Sequence, residues 1–354
     1  MSHLFSSLQI RNLFISNRIV MPPMALDIAT ETGEVTSKLI DHYLLRARVY
    51  PEQDPTMKWR GRAGLGLIIV EHAYVNTKGQ VHPHQLGVHK NSMVDGLKKL
   101  VTMIHKEGVP VGIQISHAGA RALHSPSAPS GIRSPYLSRF GQKQEETGDP
   151  PSELGREELR RIVADFGRAA RRAKQAGFDF VEIHGAHGYL LNQFYSPLTN
   201  LRGDEYGGTL ERRLRFPLEV ISTVRKAVGV NMPLFYRLGA DDRLFGGNHI
   251  HDSVEATPRL REAGIDCLDL SGGLCGYLKS GPEGFFAYMA SAIKPVVDIP
   301  VMVTGGIKTR STANEIITSN TADLVGIGRT LLTDPAWAGK VWQESHSRRE
   351  FIFS

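Results

Sequence analysis

Cysteine is nearly absent from this chain of 354 residues, with only Cys267 and Cys275 present. Two thiols are too few for a disulfide framework or a set of structural metal sites. Long apolar runs are also missing. The longest, such as Leu65–Val70, fall far short of a bilayer span. The opening MSHLFSSLQIRN has no basic stretch leading into an apolar core, so no secretory leader is expected and a cytoplasmic location is. Charge of one sign is not concentrated anywhere. The net charge of +6 is spread along the chain, which argues against a nucleic-acid partner. With 41% hydrophobic and 22% charged residues, the chain reads as a globular protein rather than a disordered one.

What is present is one pattern repeated eight times. Short aliphatic runs at Ile19–Met24, Leu67–His72, Val109–Ser116, Phe178–His184, Leu234–Leu238, Cys267–Ser271, Pro300–Thr304 and Asp323–Gly328 alternate with segments of helical period. The helical segments fall near 36–48, 91–107, 156–176, 210–228, 251–263, 284–297, 309–319 and 333–344. Runs such as Leu67-Ile68-Ile69-Val70 are apolar throughout, as strands buried on both faces are. Eight such units predict an α/β fold of the (β/α)8 TIM-barrel type, one domain over 1–354. A doubly wound open sheet would carry a glycine-rich fingerprint after its first strand, and Met24-Ala25-Leu26-Asp27 is not one. Leu8–Ser16 is expected to form a hairpin closing the barrel floor. The Pro-, Ser- and Gly-rich stretch 118–151 after the third strand is too long for a plain connection and is expected to be a functional loop, such as a lid.

The active site of such a barrel lies at the C-terminal ends of its strands. There the sequence places Pro23-Met24-Ala25, Gln114 through His117, His184 through Tyr189, Arg237, Gly305-Gly306 and Gly328-Arg329. Glycines after the seventh and eighth strands, each leading into a helix, form a barrel phosphate site, to which Arg329 adds a charged donor. His184 and His187, three apart at a strand end, admit three readings. They could ligate a metal, although no third ligand is evident; they could be structural; or they could clamp a substrate oxygen. Tyr189, two residues further on, is a candidate proton source, because an ordinary phenol keeps its proton to about pH 10.

At these residues the chain resembles the Old Yellow Enzyme family of FMN-dependent oxidoreductases. The resemblance is carried by residues 184–208 (HGAHGYLLNQFYSPLTNLRGDEYGG), 17–24 (NRIVMPPM), 114–121 (QISHAGAR) and 326–329 (GIGR), and runs from about residue 4 to about 340. It implies that Pro22, Pro23, Met24, Ala25 and the backbone near His72 lie against FMN. It further implies that Gln114 bonds the pyrimidine edge, that Arg237 sits beside N1 and the C2 carbonyl, and that Gly306, Gly328 and Arg329 hold the phosphate. His184 and His187 would bind the carbonyl oxygen of an α,β-unsaturated substrate. Hydride would pass from flavin N5 to the β-carbon, and Tyr189 would protonate the α-carbon. NAD(P)H would reduce the flavin first, in ping-pong order. The partners implied are small molecules, with neither nucleic acid nor membrane, and the resemblance admits a homo-oligomer.

The chain also departs from that pattern. Ala25 stands where one bacterial subgroup has cysteine and another threonine. Asp27 replaces a tyrosine on the substrate side, and residues 49–60 (VYPEQDPTMKWR) look like extra length. With two cysteines at no cluster spacing, no iron–sulfur centre is expected, nor any other metal. Two other functions compete with ene-reduction. One is oxidation or demethylation of an amine or saturated substrate on the same barrel, favoured by the charge of Asp27. The other is a non-redox phosphate-binding barrel such as an aldolase, weakened by the lack of a strand-end lysine.

Overall fold

A computed structural model describes residues 3–48, 64–133, 150–278 and 280–347. The extra length at 49–60 and residues 134–149 of the long loop lie outside the described residues. Strands β1 (Leu8–Ile10) and β2 (Leu13–Ile15) pair antiparallel with Leu8 opposite Ile15. Eight further strands close a parallel barrel in chain order: β3 (Ile19–Met21), β4 (Leu67–Tyr74), β5 (Val111–Ser116), β8 (Phe180–Gly185), β9 (Leu234–Asp241), β10 (Cys267–Gly272), β11 (Val301–Thr304) and β12 (Leu324–Gly326). The remaining pair, β6 (Ser127–Ala128) and β7 (Ser152–Glu153), ties the two described ends of the long loop together.

The apolar runs behave as buried parallel strands should. On β4, Ile68 and Val70 face the helices, while Leu67 and Ile69 face the barrel interior. There they meet Phe180, Phe235, Met302 and the hairpin residues Ile10, Leu13 and Ile15, so the hairpin does plug the floor. The helices are α1 (Ser37–Ala47), α2 (Val94–Lys106), α3 (Arg156–Gln175), α4 (Leu190–Tyr195), α5 (Leu210–Val228), α6 (Ile250–Glu262), α7 (Ala287–Ile293), α8 (Arg310–Thr318), α9 (Arg329–Thr333) and α10 (Trp337–Ser347). Among them α4 has no counterpart in the periodic pattern. All six of its residues are buried, so no polar face marks it in the sequence.

Several boundaries differ from expectation for local reasons. The first barrel strand stops at Met21 because Pro22 and Pro23 cannot donate to a ladder. The helix expected over 284–297 starts only at Ala287, since Gly284 sits at φ +67°, and Pro295 follows its end. The last helical segment, expected over 333–344, starts only at Trp337, because Pro335 keeps Asp334 (φ −133°, ψ 87°) out of the helical region, and the short α9 lies before it.

Among the described residues, no helix is long and apolar enough to cross a membrane. One β-bulge matters for the site. Val70 pairs with Ile113 but Ala73 pairs with Ile115, so β4 carries one residue more than its partner between these points. The extra residue breaks the inside–outside alternation and brings His72, rather than Glu71, to the barrel mouth.

Candidate active site

At the C-terminal ends of the barrel strands lies a cavity of about 680 Å³. Its lining includes Pro22, Pro23, Met24 and Ala25 after β3, His72 on β4, Gln114 on β5, His184, His187 and Tyr189 at the end of β8, and Arg237 on β9. Gly306, Gly328 and Arg329 complete the wall after β11 and β12. Of the residues given a role by the resemblance or the substrate-side comparison, Asp27 alone is not on this wall. It is exposed, with φ +55°, and its carboxylate accepts from the His84 N–H at 2.9 Å. A second hollow of about 650 Å³ at the opposite end of the barrel, beside Phe14, His105 and Asp179, gathers none of the expected residues.

The Pro22–Ala25 segment is held by a buried carboxylate. Glu71 accepts from the Leu26 N–H at 2.9 Å, and its own N–H donates to Tyr43 Oη at 2.8 Å. Burial pushes the Glu71 carboxyl up to about 7. On the facing side, residues 117–121 and 185–190 are stitched by Gln193 from α4. Its Oε1 accepts from the Ala120 N–H at 3.0 Å, while its Nε2 donates to the carbonyls of Ala118 at 3.1 Å and Gly188 at 2.7 Å. Gly119, at φ +64°, must be glycine here, because a Cβ would lie 2.2 Å from Gln193 Oε1. Much of the 184–208 block is likewise scaffold. Arg202 forks onto Asp204 and donates to the carbonyls of Pro129 and Leu154, tying the long loop to the barrel top.

His184 and His187 stand edge to face with ring centroids 5.2 Å apart, and the Tyr189 ring lies 4.5 Å from His184. His187, at φ +58°, meets Ser271 Oγ through Nε2 at 2.7 Å. Nδ1 of His184 is buried without a partner. Burial holds both imidazoles well below the ordinary histidine range, with repulsion from Arg237, Arg121 and His72 adding to it in each and His187 adding to it for His184. Both are therefore neutral at pH 7, so each ring presents an N–H and a lone pair rather than a cation. Arg121 lies over the Tyr189 ring at 4.9 Å and donates to the His187 carbonyl at 2.7 Å. Among the described residues, no three His, Cys, Asp or Glu side chains are arranged to hold a metal ion.

Beneath the cavity floor lies a buried polar layer. Gln114 Nε2 donates to Glu182 Oε1 at 2.8 Å, across the β5–β8 register that sets these residues opposite one another. Arg237 and Asp269 are opposite on β9 and β10, with Nε 3.2 Å from Oδ2 in an ion pair whose angle leaves both atoms without a hydrogen bond. Burial raises both carboxyls, Asp269 to about 6 and Glu182 well above the carboxylate range, and Arg237 opposes the rise in each.

These groups predict an acid-sensitive fold. The imidazoles of His72 and His117 titrate at about 3, and His42 and His89 at about 4, all depressed mainly by burial. With His184 and His187, they stay neutral where the unfolded chain takes up protons, near pH 6.5. Glu71, Glu182, Asp269, Asp242 and Glu219 pull the other way, as does His105 beside Asp179, because the native state holds their protons more tightly, but they are fewer than the depressed histidines, which also include His82. Below pH 6.5 the unfolded state thus binds the more protons. Each proton of excess lowers stability by about 1.4 kcal/mol per pH unit. The melting temperature of the apoprotein should fall steadily from about pH 6.5 to about pH 5; a flat or rising trend would show that the carboxyls prevail.

Gly306 takes φ +67°, and a Cβ there would lie 2.5 Å from Phe285 Cε1. Gly328 differs. A Cβ would meet only Met24 Sδ at 3.5 Å and Pro22 Cγ at 3.6 Å, so protein packing does not require glycine. A side chain there would instead take up room in the cavity beside Met24 and Pro22. That hollow, the Arg237 guanidinium with its Nε free of a hydrogen bond, and the Gln114 amide form the surroundings a phosphorylated heterocycle needs: an apolar face, an edge of donors and acceptors, and a cationic, glycine-lined end. The residues present fit FMN.

Residues 3–347 match the family model described as the NADH:flavin oxidoreductase / NADH oxidase family. The chain belongs to that family. It is an FMN-binding family, and the old yellow enzyme homologues are among its structural neighbours. The chain is 39% identical over 351 residues to the NADH oxidase of Thermoanaerobacter brockii, covering 96% of this chain and 50% of that protein. The chain thus spans about half the length of this curated relative. A 2-naphthoyl-CoA reductase complex superposes with a TM-score of 0.86 at 25% identity, over 97% of this chain and 52% of the other. Morphinone reductase gives 0.79 at 26%, over 98% and 91%. The old yellow enzyme homologue of Zymomonas mobilis gives 0.80 at 25%, over 97% and 93%.

Ser271, His82, Arg121, Tyr277, Phe285 and Lys308 also line the cavity and were not singled out as site residues from the sequence. Ser271 ends a barrel strand, so the strand-end rule reaches it. Phe285 comes from a connecting segment with no polar mark.

Proposed function

We propose that the protein is an FMN-dependent, NAD(P)H-driven reductase of the C=C bond in α,β-unsaturated carbonyl compounds. The observation that carries this reading is the convergence of His184, His187 and Tyr189 on one cavity that also holds Gln114, Arg237 and the Gly306/Gly328 end. Bound there, FMN supplies the chemistry that takes hydride from a nicotinamide and passes it to carbon. The chain's own residues do the rest. Pro22 to Ala25, Gln114 and Arg237 orient the heterocycle, and Gly306, Gly328 and Arg329 hold its phosphate. His184 and His187 donate to the substrate carbonyl oxygen, draw charge onto it and leave the β-carbon electron-poor. Tyr189 Oη holds a proton for the α-carbon.

The amine-oxidising alternative drew on the charge of Asp27. That carboxylate is turned to the His84 backbone, and among the described residues no carboxylate lines the cavity. Nothing at the site therefore favours a cationic substrate.

The clamp is tested by binding a phenol, whose oxygen stands in for the carbonyl, to the FMN-loaded protein and following the flavin spectrum. Changing His184 and His187 together to alanine should weaken phenol binding about 100-fold, as expected for two hydrogen bonds lost in a dry site. Unchanged affinity would remove the histidines from substrate binding.

A further inference from the structure

The reaction described above leaves the imidazole of His72 unused, although the bulge in β4 aims it into the cavity. Its neighbours fix its tautomer. Gln85 is buried, and its Oε1 accepts from the Val81 N–H at 2.8 Å, while its Nε2 donates to the His72 carbonyl at 2.8 Å. One backbone partner only donates and the other only accepts, so the amide has a single orientation. The second hydrogen on Nε2 then faces His72 Nδ1 at 2.7 Å. Nδ1 must accept it, which leaves the ring proton on Nε2. That Nε2 stands 3.5 Å from Tyr189 Oη.

An Nε2–H can only donate, so Tyr189 Oη receives it on a lone pair and its own hydrogen turns elsewhere. We propose that His72 is a positioning residue for proton delivery: its neutral Nε2–H aims the Tyr189 hydrogen into the cavity and holds the phenolate left behind. The inference rests on the reading of Tyr189 as the proton donor. In that step the Tyr189 O–H bond breaks as a C–H bond forms at the substrate α-carbon, and the electron pair stays on Oη. The hydrogen bond from His72 strengthens as its acceptor becomes an anion, and water in the cavity then returns a proton to Oη. His72 does not relay that proton, because Gln85 occupies Nδ1. Burial, with His82, Arg121 and Arg237 adding repulsion, holds its titration at about 3, so it stays a neutral donor throughout the working range.

Two measurements test this. In apoprotein carrying 15N-histidine, the His72 signals, assigned by their loss in His72→Phe, should report one neutral form protonated on Nε2, and Tyr189→Phe should shift the Nε2 signal. A proton on Nδ1, or ordinary histidine titration, overturns the proposal. In FMN-loaded protein, His72→Phe should slow the enone half-reaction about tenfold more than it changes flavin reduction by NAD(P)H, the effect of losing one hydrogen bond to a charged group. His72→Gln, whose amide N–H reaches toward the same oxygen, should recover to within about threefold of the parent. The His72→Phe/Tyr189→Phe double variant should be no slower than Tyr189→Phe alone. Independent, multiplying losses would make His72 a merely structural residue. A silent Tyr189→Phe overturns the proton-donor reading and this proposal with it. A normal Tyr189→Phe loss beside a silent His72→Phe overturns only the present one.

Discussion

Arg237→Leu should destabilise the apoprotein by about 3–5 kcal/mol, as removing one partner from a buried ion pair does. Arg237 is 3% exposed and Asp269 0%, with Glu182 also fully buried in the same layer. Once the guanidinium is gone, two carboxyls remain in the barrel with no cation beside them. They escape the penalty by holding protons, so the deficit should be larger at about pH 8 than at about pH 5.5. Urea unfolding at the two pH values reads this directly. The double change Arg237→Leu/Asp269→Leu replaces the pair by apolar side chains and should recover most of the lost stability. It should not recover FMN affinity, because the cation at the cavity edge is still missing. A stable single variant would mean that Glu182 and Asp269 already hold protons beside Arg237, so that its loss strands no charge. A double variant that binds FMN normally would remove Arg237 from the cofactor site.

Tyr189→Phe should slow the reaction of the reduced enzyme with an enone by about 10²- to 10⁴-fold, the usual worth of a positioned general acid. Flavin reduction by NAD(P)H needs no proton at a substrate carbon, so it should change little. The phenol ring is buried between His184, His72 and Arg121, and phenylalanine keeps that packing. Stopped-flow absorbance separates the two halves. Equal slowing of both would point to a disturbed pocket rather than a missing proton.

The barrel was legible because its evidence is local. Runs such as Leu67–Val70 mark strands buried on both faces, and eight of them at regular spacing admit few folds. The site was legible by the same logic, since a strand's end locates its polar residues at the barrel mouth. That rule brings Gln114, His184, Arg237 and Gly328 to one mouth, and all four line the cavity. What the sequence hid depends on pairing between distant segments. The β4 bulge that turns His72 inward exists only in register with β5, and no single stretch announces it. Gln85, which fixes the His72 ring, lies in an ordinary-looking loop thirteen residues on. Asp27 was misplaced because its neighbours in sequence line the cavity, whereas its own backbone turns to φ +55° and spends the carboxylate on the His84 N–H. Residues 199–206, among the most specific in the chain, serve loop structure, through Arg202 with Asp204 and Asn200 with the carbonyls of Phe194 and Tyr206.

The most direct test is an anaerobic titration of the FMN-loaded protein with NAD(P)H, followed by addition of a cyclic enone such as 2-cyclohexen-1-one. The visible flavin band should bleach with the nicotinamide and return with the enone, and the saturated ketone should form in proportion to the flavin reoxidised. A flavin that stays oxidised, or one that is reduced and then ignores the enone, would contradict an ene-reductase.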